Sequence, residues 1–134
     1  MAEQKSETKL WHSLKKHLKN IHFTRIESRT VNGIPDLFGI YKGVSFWCEL
    51  KADYVSYPKL SKWQVSWINT YVARGGVMLI CNRALSERAL KLYRIQSLVV
   101  SPQLLVADAV LPMQGAWPAV ADAFRQLITN SDNQ

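Results

Sequence analysis

The stretch 34–51, IPDLFGIYKGVSFWCELK, places two carboxylates and an ammonium in the most strand-like part of the chain. Asp36 opens one apolar run and Glu49-Leu50-Lys51 closes the next, with Lys42-Gly43 between them. If Lys42-Gly43 is a two-residue hairpin turn, Tyr41 pairs with Val44 and Asp36 lies directly opposite Glu49. Their Cβ atoms are then roughly 4.5–5.5 Å apart on one face. Lys51, two residues beyond Glu49, falls on the same face. Adjacent carboxylates repel and do not both ionise readily unless a cation lies between them. One lysine supplies part of that charge and a divalent metal supplies more. Carboxylates without His or Cys suit a hard ion, Mg²⁺ or Mn²⁺. The lysine then stands where it orients or deprotonates a water, or neutralises charge developing on a phosphate. The predicted chemistry is metal-assisted hydrolysis. A plainer reading makes Asp36 the end of a turn after Pro35 and Glu49–Lys51 an ion pair on an exposed strand. Against it, Leu37, Phe38, Ile40, Phe46, Trp47, Cys48 and Leu50 cover both faces of the hairpin, which makes it central, where unpaired charge is costly.

Elements on either side must position this hairpin. Residues 6–21 read as an amphipathic helix, with Leu10, Trp11, Leu14, Leu18 and Ile21 as its stripe and Ser6 as N-cap. Residues 22–31 alternate as a half-buried strand before Asn32-Gly33. Strands are expected at 36–41 and 44–51. A second helix is expected at 62–74, with Ser61 as N-cap and Gly75 as its stop. GVMLIC at 76–81 reads as a buried strand, parallel to a neighbour because a helix precedes it. Further on, the signals weaken. A helical turn at 86–90, strands at KLYRI and QLLVAD, and a closing helix at 117–129 with Pro118 in its first turn are expected. The polar tail TNSDNQ is expected to fray.

The 134 residues suit one domain, 48% are apolar, and 17 Lys and Arg against 10 Asp and Glu leave a formal charge of +7. That excess points to a polyanionic partner. No apolar run approaches the roughly 18 residues of a membrane span, and MAEQKSETK has no apolar signal core, so a cytoplasmic protein is expected. A membrane-surface role fits poorly, because the basic first helix needs its Leu and Trp for the core. Cys48 and Cys81 lie in apolar strand-like runs, without CxxC or zinc-site spacing, and read as buried reduced thiols. His12, His17 and His22 step by five, which is poor chelating geometry, and read as surface or interface residues.

GIPDLF, FWCELKA, LSKWQVSWI and ARGGVML, in that order, resemble the PD-(D/E)xK nucleases, and within them the VRR-NUC branch of small phage and bacterial nucleases; archaeal Holliday-junction resolvases are more distant relatives. The likeness covers residues 7–82 and leaves 83–134 as a C-terminal extension of the same nuclease domain. It implies an α/β, restriction-endonuclease-like αβββαβ core with a mixed sheet, and Mg²⁺- or Mn²⁺-dependent hydrolysis of phosphodiester bonds. By the same resemblance Asp36, Glu49 and the Leu50 backbone carbonyl bind the metal, and Lys51 acts on the attacking water. Glu7 fits a further metal ligand on the first helix, and Gln64 fits a catalytic-site glutamine on the second. Glu7 also suits the helix dipole at an N-terminal turn. Ser61-Lys62-Trp63-Gln64 is also a capping box, so Gln64 has a structural role available.

Candidate DNA contacts are Arg25 and Arg29, four apart on the first strand with Glu27; Lys9, Lys16 and Lys19 on the lysine-rich helix; and Tyr54 and Tyr57, beside Pro58, as stacking groups. Trp63, Trp67 and Tyr71 run at helical spacing and read as core rather than as a base platform. With Trp117 they offer more large apolar surface than one small domain needs. That surface suits a homodimer, as small resolvases of this type pair two sites. The leading expectation is an endonuclease for branched DNA such as a four-way junction. A duplex nickase or restriction-type nuclease, and a non-catalytic basic DNA-binding module, are the alternatives. No organic cofactor is expected.

Overall fold

The computed structural model describes residues 2–28 and 30–130, with side chains from Ser6 onward. The order is α1 (Ala2–His17), β1 (His22–Arg25), β2 (Leu37–Tyr41), β3 (Val44–Asp53), α2 (Lys62–Ala73), β4 (Val77–Ala84), β5 (Ala89–Arg94), β6 (Ala109–Pro112) and α3 (Trp117–Thr129), with single 3-10 turns at Leu85–Glu87 and Pro102–Leu104. The six strands form one mixed sheet in sequence order, β1-β2-β3-β4-β5-β6. Only β3 and β4 pair in parallel, because α2 carries the chain across between them. The expected αβββαβ core is present, and β5, β6 and α3 extend it. No helix among the described residues is long and apolar enough to cross a membrane.

One face of the sheet packs Leu37, Phe46, Cys48, Leu50, Leu79 and Cys81 against Leu10, Leu14 and Leu18 of α1 and Val120, Phe124 and Ile128 of α3. The other face packs Met78, Ile80 and Tyr93 against Ile68 of α2, with Ile95 and Val99 from the chain that follows β5. Asn69 fastens that segment: its Nδ2 donates to the Val99 carbonyl at 2.9 Å, and the Val99 N–H donates to its Oδ1 at 2.7 Å. Cys48 and Cys81 are buried and free, as expected.

The hairpin takes the register read from its turn. Lys42 and Gly43 both have positive φ, 48° and 81°, which matches the twist of the flanking strands. Tyr41 pairs with Val44 and Leu37 with Cys48, so one further step sets Asp36 against Glu49. Gly39 lies opposite Phe46, and an added Cβ would stand 2.4 Å from that ring.

Several expectations are corrected. α1 begins at Ala2, so Ser6 is an interior helix residue and not an N-cap; the good helix formers before it extend the helix backwards. The helix ends at His17, yet a turn through Lys19 and Asn20 still buries Leu18 and Ile21. The first strand is His22–Arg25 and not 22–31. After the Ile26 N–H donates to the Asp36 carbonyl at 2.7 Å, the chain leaves the sheet. QLLVAD is no strand: Pro102 starts a 3-10 turn, Leu104 and Val106 are exposed, and β6 begins only at Ala109. Trp63, expected in the core, is 52% exposed. Arg29 and residues 131–134 of the tail lie outside the described residues.

The loop that leaves β1 reaches the start of α2. Gly33 has φ +83°, and a Cβ there would stand 2.3 Å from the Trp63 carbonyl. Gly33→Ala therefore meets both a strained φ and a backbone contact. It is expected to cost about 1–2 kcal/mol, a fall in Tm of roughly 3–8 °C by thermal unfolding. Gly43→Ala, with φ +81° but open space around it, is expected to lose less.

Candidate active site

β3 carries Glu49 and Lys51 on the face toward α2, and Asp36 reaches them from the entry of β2. The Leu50 N–H donates to Asp36 Oδ2 at 2.9 Å, a bond that fixes the carboxylate across the two strands. Glu49 is buried, and its Oε2 lies 3.5 Å from Lys51 Nζ. Gln64, on the first turn of α2, donates from Nε2 to Glu49 Oε2 at 2.8 Å. Its Oε1 accepts the Ser61 N–H at 2.9 Å, while the Gln64 N–H donates to Ser61 Oγ at 3.1 Å. The capping box and the contact with Glu49 thus coexist in one side chain, each using a different atom of the amide.

The electrostatics are dominated by lack of water. Desolvation, then the neighbouring Asp36 charge, push the Glu49 carboxyl up to about 8; Lys51 pulls it down and Glu7 pushes it further up. Asp36 is raised as well, by burial first, with the Leu50 N–H, Lys51 and Arg25 acting against it. Glu7 and Arg25 are therefore close enough to be felt at the carboxylates. Lys51 does not offset burial and the neighbouring acids. An oxygen-lined place short of positive charge fits a hard dication. Among the described residues no group of three His, Cys, Asp or Glu side chains forms a ready metal cluster. The Cys48 and Cys81 thiols are both raised by burial, which removes them as nucleophiles.

The chain is similar in structure to Hjc, a Holliday junction resolvase from the archaeal hyperthermophile Archaeoglobus fulgidus. The TM-score is 0.55 at 16% identity, over 90% of this chain and 98% of that one. The fold is restriction-endonuclease-like. The likeness extends past residue 82, so β5, β6 and α3 are not wholly outside it. No family model and no curated protein matches the chain.

The other candidates are spread more widely. Arg25, exposed on β1, is felt at Asp36, whereas Lys9, two residues after Glu7 on α1, is exposed and does not share Glu7's helix face. Lys16 is nine residues beyond Glu7 on α1, about 14 Å along the helix, and Lys19 lies past its end, so neither joins the cluster. β1 stops at Arg25, so the expected strand does not continue through residues 26–28, and the expected pairing of Arg25 with Arg29 falls outside the described residues. Tyr54 is 72% exposed after β3, whereas Tyr57 is half-buried and Pro58 buried. The segment is tied down by Lys91, which donates to the Ser56 carbonyl at 3.0 Å. His12, His17 and His22 are all exposed, and His17 stacks on Trp117. Sequence reading passed over two residues at this face, the buried Asp53 and Asn82.

In metal-free protein, Glu49 keeps its proton in the folded state up to about pH 8 but loses it in the unfolded chain near its ordinary 4.5. Its contribution to stability is therefore complete below about pH 4.5 and is lost as pH rises through about 8. Glu49→Gln is expected to raise Tm in EDTA by several degrees at pH 8.5 and to change it little at pH 4.5. Equal shifts at both pH values would mean that Glu49 is not held protonated.

Proposed function

We propose that the chain is a Mg²⁺- or Mn²⁺-dependent DNA endonuclease of the VRR-NUC type, acting as a homodimer on branched DNA. The observation that carries this reading is the meeting of Asp36, Glu49 and Lys51 at one buried, charge-deficient place on a fold shared with a junction resolvase. Asp36, Glu49 and the Leu50 carbonyl would hold the cation, with Glu7 as a further ligand from α1. When bound, the cation supplies Lewis-acid stabilisation of phosphate charge and a more acidic water.

The chain's own residues do the rest. Leu50 and Gln64 fix the two carboxylates, so the ligand set is arranged before any ion or phosphate arrives. Lys51, 14% exposed at its side chain, keeps an ammonium beside Glu49, where it orients the attacking water and offsets charge on the phosphate in the transition state. Arg25, exposed near Asp36, and Lys9, exposed on α1, take flanking phosphates, and Tyr54 offers an exposed ring to a splayed base. Exposed Leu98, Val100, Leu104, Val106 and Val110 supply apolar surface for a second copy.

Labelled four-way junction, linear duplex and single-stranded DNA are incubated with the protein in Mg²⁺, Mn²⁺ or EDTA. Paired metal-dependent cuts in the junction are expected, with Lys51→Ala and Asp36→Asn each slower by about 10²–10³-fold. Equal cutting of plain duplex would keep the site and discard the junction. Tight binding without cleavage in any metal would leave a DNA-binding module. Binding is expected to weaken steeply with salt, and Arg25→Ala to reduce the slope of log K against log [salt] by about 1. An unchanged slope would remove Arg25 from the interface.

A further inference from the structure

Asn82 and Asp53 are polar, buried and unexplained by the site described so far. Asn82 is 0% exposed, and among the described residues neither its Nδ2 nor its Oδ1 meets a hydrogen-bond partner. Asp53 is 5% exposed, and its Oδ2 is in the same condition. Buried polar side chains are nearly always partnered, because an unsatisfied one keeps the full penalty of leaving water. Tyr93 is near enough for Asn82 to act on its hydroxyl, but the amide atoms do not reach hydrogen-bond geometry with it.

Both residues flank Lys51. Alternation along β3 puts Glu49, Lys51 and Asp53 on one face, and Asn82 is the register partner of Lys51 on β4. The ammonium has three donors, and the approach to Glu49 Oε2, at 3.5 Å, is longer than a good charged hydrogen bond. Lys51 is thus bracketed by Glu49 two residues before, Asp53 two residues after, and Asn82 alongside. Lys91, the partner of Asn82 on its other side, is already engaged with Ser56 and Glu87.

We propose that Asn82 and Asp53 form a second seat for the Lys51 ammonium. The side chain rests against Glu49 in this structure, and moves onto Asn82 Oδ1 and Asp53 Oδ2 when the Glu49 side chain is removed or taken up by a cation. The exchange satisfies two buried acceptors and frees Glu49, while the ammonium stays in the site and does not swing into solvent. Asn82 is a positioning residue in this scheme. The inference extends the nuclease reading, but the seat itself is a property of the protein alone.

A crystal structure of Glu49→Ala without metal, which removes the first seat, tests the second directly. Lys51 Nζ is expected about 3 Å from Asn82 Oδ1 or Asp53 Oδ2. Nζ unmoved, or turned to solvent with Asn82 unpartnered, would overturn the proposal whether or not the protein cleaves DNA. Asn82→Leu tests the consequence, because an apolar near-isostere removes the unsatisfied amide and the seat together. Its Tm is expected to hold or rise, with Mg²⁺ binding by calorimetry and KM for DNA within about twofold, while kcat falls about tenfold or more. An unchanged kcat, or a joint loss of Tm, metal binding and kcat, would reduce Asn82 to a structural residue and overturn the positioning role. Should the wild-type protein cut no DNA, the nuclease reading fails separately, and the Glu49→Ala structure still decides the seat.

Discussion

A carboxylate in the middle of a sheet is the constraint around which the structure is arranged. Glu49 lies on the central strand pair, with α2 above it, α1 and α3 behind the sheet, and Asp36 across the hairpin. Water cannot stabilise its charge there, and a single lysine does not replace water. Every polar group that reaches Glu49 therefore has a defined support. The helix cap fixes Gln64, the Leu50 amide fixes Asp36, and the parallel pairing with β4 sets what lies beside Lys51. The apolar faces exclude solvent, and that exclusion gives the few charges their strength.

The hairpin and the second helix were legible because their signals are local. Lys42-Gly43 accepts the two positive φ values that a tight turn needs, and the turn alone then fixes which residues face each other. Ser61 and Gln64 are three apart, and capping is decided within that span. The same shortness of range explains why the grouping of Asp36, Glu49 and Lys51, and the cap made by Gln64, follow from the order of residues alone.

What was not legible depends on distant parts of the chain. The alternation in 22–31 gives no hint that Ile26 makes the last sheet bond and that Gly33 is needed against α2. QLLVAD has a strand's composition, but Leu104 and Val106 point to solvent, so its apolar content reports no burial. Asn82 sits at the end of a plain apolar run, and its significance comes from a partner strand reached only by crossing over through α2. Ser6 has an N-cap's residue type, and only the helical run before it removes that role.

Gln64 ties the site to the end of a helix. Helix termini open far more often than sheet centres, by local fluctuations that leave the rest of the molecule intact. Whenever the first turn of α2 unwinds, Ser61 loses its acceptor and Glu49 loses its donor in the same event, because one amide serves both. The lifetime of an ordered Glu49 is then set by the breathing of a single helical turn, and amide exchange at Ser61 and Gln64 would follow the same clock. The opening of one helical turn beside a buried carboxyl governs how long that arrangement persists.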